Sequence, residues 1–214
     1  LSGIKPKVFV AENVSGLVKG TAKGYFLEIL AAMKDAGYQV AARLLDAQWL
    51  GVPQARQRLI YIGVRNDLPL KPIHPKPLSY RYTLLDALGE QGEIAGDAWF
   101  FPANSQTGRL WRWLVQTGEK DFAKAARAVL GRETMMQHRR CMLDEPVNTV
   151  VQGSKCLYHP SVPRTLSIPE LKRVSSFPDD FVLTGSFDQQ WERIGRAVPP
   201  VMMYQVAKTV RDEI

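Results

Sequence analysis

Between residues 8 and 64 the spacing of apolar side chains changes from stage to stage, and few folds accommodate the order in which it does so. VFVAENV (8–14) is a short apolar run that ends in polar residues. A central parallel strand opening into a functional loop reads this way. Over 21–36 the spacing becomes three and four, which puts Tyr25, Phe26, Ile29, Leu30 and Met33 on one helical face. Gly37 then supplies a stop. From 38 to 45 the pattern alternates, with Tyr38, Val40, Ala42 and Leu44 on one side of a second strand. A short link containing Gly51 and Pro53 leads into a third strand, Arg58 to Val64, expected to lie antiparallel beside the second. A strand–helix–strand unit followed by a further strand belongs to an α/β layer architecture.

Past Arg65 the regularity stops. Pro69, Pro72, Pro75 and Pro77 mark a linker and a lobe boundary. Helical spacing returns at 83–89 and 121–131 within an otherwise mixed stretch. Trp99, Phe100, Phe101, Trp111 and Trp113 lie there among basic residues. Such interleaving suits contacts to bases and phosphates, but the core of a small lobe is the commoner use of most such aromatics. Order resumes after Pro146. Ser167 with Glu170 forms a capping box with Pro169 inside the first turn, opening a helix to about Ser176. FPDDF (177–181) and IGRAVPP (194–200) follow. Pro199-Pro200 starts a last helix with Met203, Val206, Ala207 and Val210 on one face.

Charge narrows the function. The net charge is +7, with +5 concentrated in residues 100–142 and −1 in residues 165–214. A basic excess favours a polyanion through counterion release. No run approaches the roughly 18 apolar residues that span a bilayer, and the first residues lack a secretory pattern. A cytoplasmic protein without membrane contact is therefore expected. The early strand and the Leu at position 1 suggest a fragment or a subunit of something larger. Cys141 and Cys156 form no CxxC, so neither zinc nor a disulfide framework is indicated, and His74, His138 and His159 lack metal-ligand spacing.

Three constellations carry chemistry. Glu12-Asn13 ends the first strand, where ligands bind in open α/β sheets. Gln54-Ala55-Arg56-Gln57-Arg58 precedes the third strand. In an extended chain residues two apart face the same way, so Arg56 and Arg58 would make a two-guanidinium fork suited to phosphate or a base carbonyl. The third comprises Arg164 through Glu170, FPDDF and IGRAVPP. Singly, each is compatible with an ordinary strand end, surface or turn.

In this order, and separated by a variable basic segment, the three resemble the second half of the DNA cytosine-5 methyltransferases, from about residue 7 to the C-terminus. The resemblance implies the C-terminal part of a Rossmann-like, S-adenosylmethionine-dependent methyltransferase fold (1–68). It also implies a small target recognition lobe (69–163), and a hinge segment and helix returning to the catalytic domain (164–214). It assigns Glu12 to the ring nitrogen and amine of a flipped cytosine, and Arg58 to the carbonyl oxygen of that base. Arg56 is the other member of the fork, so Glu12 and Arg58 should converge on one pocket. Asn13, Thr149 and Arg164 fall on the DNA side, with Asn13 as a support. Gly195, Arg196, Ala197 and Val198 would line part of the S-adenosylmethionine site.

The family's reaction needs a thiolate at C6 of a base turned out of the duplex. Its Pro-Cys dipeptide is absent here, as is its glycine-rich cofactor motif, and Arg196 stands where the family has Asn. The implied partners are double-stranded DNA and an N-terminal part or partner subunit bearing the missing motifs, in a bacterial or phage restriction-modification setting. An inactive DNA-binding or regulatory module derived from the same fold is the alternative.

Overall fold

The computed structural model describes residues 1–18, 22–90 and 92–214. Position 21, the expected start of the first helix, lies outside them. The large lobe is built on β1 (Val8–Val14), β2 (Tyr38–Asp46), a two-residue β3 (Gln54–Ala55) and β4 (Gln57–Arg65). Its sheet has the order β1-β4-β2, with β4 antiparallel to both neighbours. β2 and β4 are thus the expected antiparallel pair. β1, read as a central parallel strand, instead pairs antiparallel with β4 and has no second partner among the described residues. Local spacing reports that a strand exists but not which strand it will meet.

β4 is buried on both faces, from Leu59 to Val64. On one face Ile60 and Ile62 join Leu45, Leu50 and Val52 beneath Met202 and Val206 of the last helix. On the other, Tyr61 meets Phe26 of α1 (Lys23–Asp35), with ring centroids 6.0 Å apart. Phe26, Ile29, Leu30 and Met33 are half-buried as expected, but Tyr25, at the margin of the stripe, is 66% exposed. Gly63 sits opposite Phe9, whose ring fills the space a side chain at 63 would take and packs edge-on to Tyr38.

The second lobe contains α2 (Leu84–Leu88), α3 (Gln106–Thr117), α4 (Phe122–Leu130), β5 (Arg139–Arg140), β6 (Val147–Asn148) and β7 (Leu157–Tyr158). It is followed by α5 (Ile168–Val174), α6 (Phe187–Arg196) and α7 (Pro200–Glu213). β5 pairs with β7 and β3 with β6, both in parallel. α3 and α6 have no counterpart in the sequence reading. Their signals are caps, Ser105 for α3 and a Ser186/Gln189 capping box for α6, set before polar sequence.

Most of the aromatics serve as core. Phe101, Phe122 and Tyr158 are buried together with Trp111 and Trp113 packed against them, whereas Trp99 and Phe100 are exposed. The expected boundary at 163/164 is not a packing boundary, because Leu157 shares one core with Leu166, Leu171, Trp191 and Ile194. α7 is rotated from the expected face: Met202, Val206 and Thr209 are buried, and Ala207 is exposed.

Gly108, in the first turn of α3, is the most closely approached glycine described in the small lobe. A Cβ there would lie 2.2 Å from the Pro102 carbonyl oxygen and 2.8 Å from that of Ala103. Helix propensity favours alanine over glycine by about 1 kcal/mol, while overpacking costs about 1–3 kcal/mol. The Pro102 carbonyl is pinned by the Ser105 hydroxyl at 2.6 Å and the Ser105 N–H at 3.0 Å, so the clash wins. Gly108→Ala is expected to lower unfolding stability by about 1–2 kcal/mol; an unchanged or higher urea midpoint would contradict this packing.

Candidate functional site

The antiparallel register of β1 and β4 decides where the first two constellations meet. Glu12 is opposite Ile60 and Val14 opposite Arg58. Glu12 and Arg58 are thus diagonal neighbours on one face, within reach of long side chains. The Arg58 Nε lies 2.7 Å from Glu12 Oε1, and both side chains keep contact with solvent. Arg58 also donates from a terminal nitrogen to the Gln57 carbonyl at 2.8 Å. The two residues expected to converge do so, as a direct ion pair. Asn13 points to the other face, where its side-chain oxygen accepts from the Val14 N–H at 2.8 Å.

Arg56 does not join them in a fork. β3 ends at Ala55 and β4 begins at Gln57, so residue 56 sits at a break between strands rather than in one extended run. Its carbonyl accepts from the Ala47 N–H. The side chain turns inward and is 2% exposed. It donates to the Val150 carbonyl at 3.0 Å and to the Gly195 carbonyl at 2.8 Å. Burial, and then the like charge of Arg58, bring its pKa down to about 10, partly offset by Glu12. It remains a cation at neutral pH.

Gln54, quoted in the motif above without a role, has one at this junction. Its amide nitrogen donates to the Ser175 hydroxyl at 2.9 Å, and its amide oxygen accepts from the Val150 N–H at 3.3 Å. Thr149 donates to the Ala55 carbonyl at 2.5 Å. It also borders a surface cavity of about 300 Å³ with Gln137, Arg139 and Asn148. A residue of the second lobe thus sits beside Arg56 and at a polar, open surface at once.

Arg164, placed on the DNA side by the sequence reading, is corrected by its surroundings. It is 4% exposed and makes two 2.7 Å contacts to the Glu170 carboxylate, which is fully buried. A guanidinium in such a fork with a buried carboxylate has no reach into solvent. Burial opposes ionisation of Glu170. Arg164, with the Ile94 and Ser167 N–H groups, outweighs it and holds the carboxyl below its ordinary value. The capping box found in the sequence is therefore half of a larger lock, whose other half, Arg164, gave no local signal.

The four residues expected around a cofactor are largely occupied. A Cβ on Gly195 would meet the Gln152 nitrogen at 2.8 Å and the Val151 carbonyl carbon at 2.9 Å. Val198 packs into the core under α7. Arg196 is exposed and pairs with Glu192 at 2.5 Å, which leaves half-buried Ala197. This set does not by itself make a pocket for S-adenosylmethionine. Cys141 and Cys156 are buried, free thiols whose pKa values burial raises, as inert structural cysteines require. Among the described residues no cluster of His, Cys, Asp and Glu could hold a metal, and no helix is long and apolar enough to cross a membrane.

The fold is that of known methyltransferases. A prophage-encoded E. coli protein assigned as a DNA modification methyltransferase superposes over 99% of this chain and 71% of its own, with a TM-score of 0.70 at 20% identity. The sequence is 34% identical to type II methyltransferase M.PspPI of Psychrobacter sp. (strain TA137), over 97% of this chain and 54% of that protein. It is 30% identical to M.NgoFVII of Neisseria gonorrhoeae, over 96% and 59%. Residues 1–212 match the C-5 cytosine-specific DNA methylase family, and the chain belongs to it. It spans somewhat more than half the length of these curated relatives.

Two consequences are measurable. Removing one member of a buried ion pair typically costs about 3–5 kcal/mol, so Glu170→Gln is expected to lower stability by several kcal/mol. An effect below about 1 kcal/mol, as for a surface pair, would contradict the buried lock. The pH profile should fall in two stages on acidification. His74, His138 and His159 have pKa values lowered by burial from 6.5. The unfolded chain therefore binds their protons first, and stability declines as pH drops below about 6.5. Glu170 lies below 4.5, so its contribution is complete above that value and is lost as pH falls toward its folded pKa. Urea midpoints between pH 8 and 3 would show both stages. A flat profile down to pH 4 would rule out the first.

Proposed function

We propose that this chain supplies the base-holding and DNA-contacting part of a DNA cytosine-5 methyltransferase, which transfers a methyl group from S-adenosylmethionine to C5 of a cytosine turned out of the duplex. The observation that carries this reading is the Glu12–Arg58 pair, 2.7 Å apart and partly open to solvent at the end of β1. A cytosine offers an amine donor, a ring nitrogen and a carbonyl acceptor along one edge. The Glu12 carboxyl suits the first two, sharing a proton with the ring nitrogen, and the Arg58 guanidinium suits the third. Addition of a thiolate at C6 pushes electron density onto that edge. A proton at the ring nitrogen and a cation at the carbonyl oxygen would stabilise it there.

The thiolate and the main cofactor site must come from outside this sequence, which has neither a Pro-Cys dipeptide nor a glycine-rich strand end. They would belong to an N-terminal part or to a partner subunit. The recognition lobe would lie along double-stranded DNA, which its basic excess in residues 100–142 favours. Thr149 and the cavity beside it would face the nucleic acid near the extruded base.

The test uses the methyltransferase that contains this chain, expressed in a host lacking cytosine methylation, with bisulfite sequencing of the host DNA. Cytosine methylation confined to one short sequence is expected. Glu12→Gln should reduce its rate by about 100-fold or more, the scale of a lost proton-transfer group. The 214-residue chain alone should bind duplex DNA with strong salt dependence and transfer no methyl group. Wild-type rates in Glu12→Gln, or methylation by the isolated chain, would sink the reading.

A further inference from the structure

We infer that Gln54 and Arg56 are positioning residues that clamp the main chain at Val150 and so hold Arg58 in register with Glu12. This rests on the proposed role of the Glu12–Arg58 pair and extends it to how the recognition lobe is seated.

The two side chains grip opposite ends of one residue. The Val150 N–H donates to the Gln54 amide oxygen, and the Val150 carbonyl accepts from Arg56. Each side chain then reaches a second element. Gln54 donates to the Ser175 hydroxyl at the end of α5, and Arg56 to the Gly195 carbonyl in α6. The adjoining residues are held as well. Thr149 bonds the Ala55 carbonyl, Val151 accepts from the Trp191 indole at 3.1 Å, and Gly195 lies directly against the Val151–Gln152 main chain. Residues 149–152 are thus held from the sheet side by 54–56 and from the other side by α6.

An arginine used only for charge would lie at the surface or against a carboxylate. Arg56 is buried on two carbonyls, with its Nε finding no partner. Burying a cation on neutral acceptors is costly, and what it secures here is geometry: a planar fork spanning two main-chain segments. The clamp is also adjacent to the chemistry. Arg58 follows Arg56 by two residues across the short break between β3 and β4. A shift of the 54–56 segment would therefore be passed directly to the arginine facing Glu12. Displacements of about 1 Å in a reacting constellation can cost about 100-fold in rate.

Arg56→Lys keeps the charge but cannot span both carbonyls, and Gln54→Met keeps the shape without the polar atoms; two variants guard against one failing to fold. The first readout is NMR on the 214-residue chain. Amide exchange at Val150 should accelerate at least 10-fold, and the Arg58 Nε–H signal, sheltered by Glu12, should weaken or vanish in either variant. Unchanged exchange and an unchanged Arg58 signal in a folded variant overturn the inference. The second readout is kinetic, in the methyltransferase containing this chain. In Arg56→Lys, kcat should fall about 10- to 100-fold, with KM for the methyl donor within about 2-fold of wild type. A KM rise with kcat intact also overturns the inference, because it would make Arg56 a binding group. Failure of the cytosine reading is distinguishable: Glu12→Gln and Arg58→Lys would then leave kcat unaltered, whatever the NMR of the clamp variants shows.

Discussion

Burying a guanidinium is expensive, and the chain does so at Arg56, Arg140 and Arg164, of which Arg164 and Arg56 show two different ways of doing it. Arg164 is neutralised by Glu170 in a fork whose remaining oxygen contacts are filled by main-chain N–H groups. Arg56 has no carboxylate and is held by two carbonyls. The first arrangement fixes the start of α5 against the segment around Ile94. The second joins the mouth of the sheet to the segment around Val150 and to α6. Remove the second and the two lobes keep their own cores, but lose a polar connection between the strand that carries Arg58 and the loop that carries Thr149.

This division fits the packing. The three apolar clusters lie under α7, among α2, α5 and α6, and between α3 and α4. Each supplies the bulk of its neighbourhood's stability without specifying how one neighbourhood is angled to the next. Apolar contact is non-directional, whereas hydrogen bonds from a planar donor are directional. The polar residues at 54, 56 and 149 lie where direction matters, between the sheet and the lobe.

What the sequence revealed was what depends on near neighbours in the chain. The four main elements of the sheet lobe, the Ser167/Glu170 box and the Pro200 helix start all follow from residues within a few positions of one another. So did the identity of the Glu12–Arg58 meeting, although there the motif order and the family resemblance were needed as well as local spacing. Two-residue strands such as β3 and β6 have no period to detect, so the break that turns Arg56 inward was invisible, and a two-residue alternation was assumed to run through it. Arg164 was misplaced for a related reason. Its partner is six residues away, on the far side of a helix cap, and charge alone does not indicate whether an arginine faces solvent or a buried carboxylate. The β1-β4-β2 order and the core shared by Leu157 and Leu171 are long-range facts, which chain-local patterns do not encode.

The grip on residues 149–152 has a further property. Gln54 and Arg56 touch the N–H and carbonyl of Val150, and Trp191 touches the carbonyl of Val151. Each of these three bonds takes a main-chain group of the gripped segment, of a kind every amino acid but proline offers in full, whereas Thr149 adds a side-chain bond of its own from its hydroxyl to the Ala55 carbonyl. The mounting therefore grips the main chain, while the Thr149 hydroxyl and the side chains of Val150 and Val151, in and against the core, are tied in by their own contacts. Exchange is open at exposed Gln152, whose side chain takes no part in the grip, so the stretch can vary at its surface while its attachment to the sheet stays as it is.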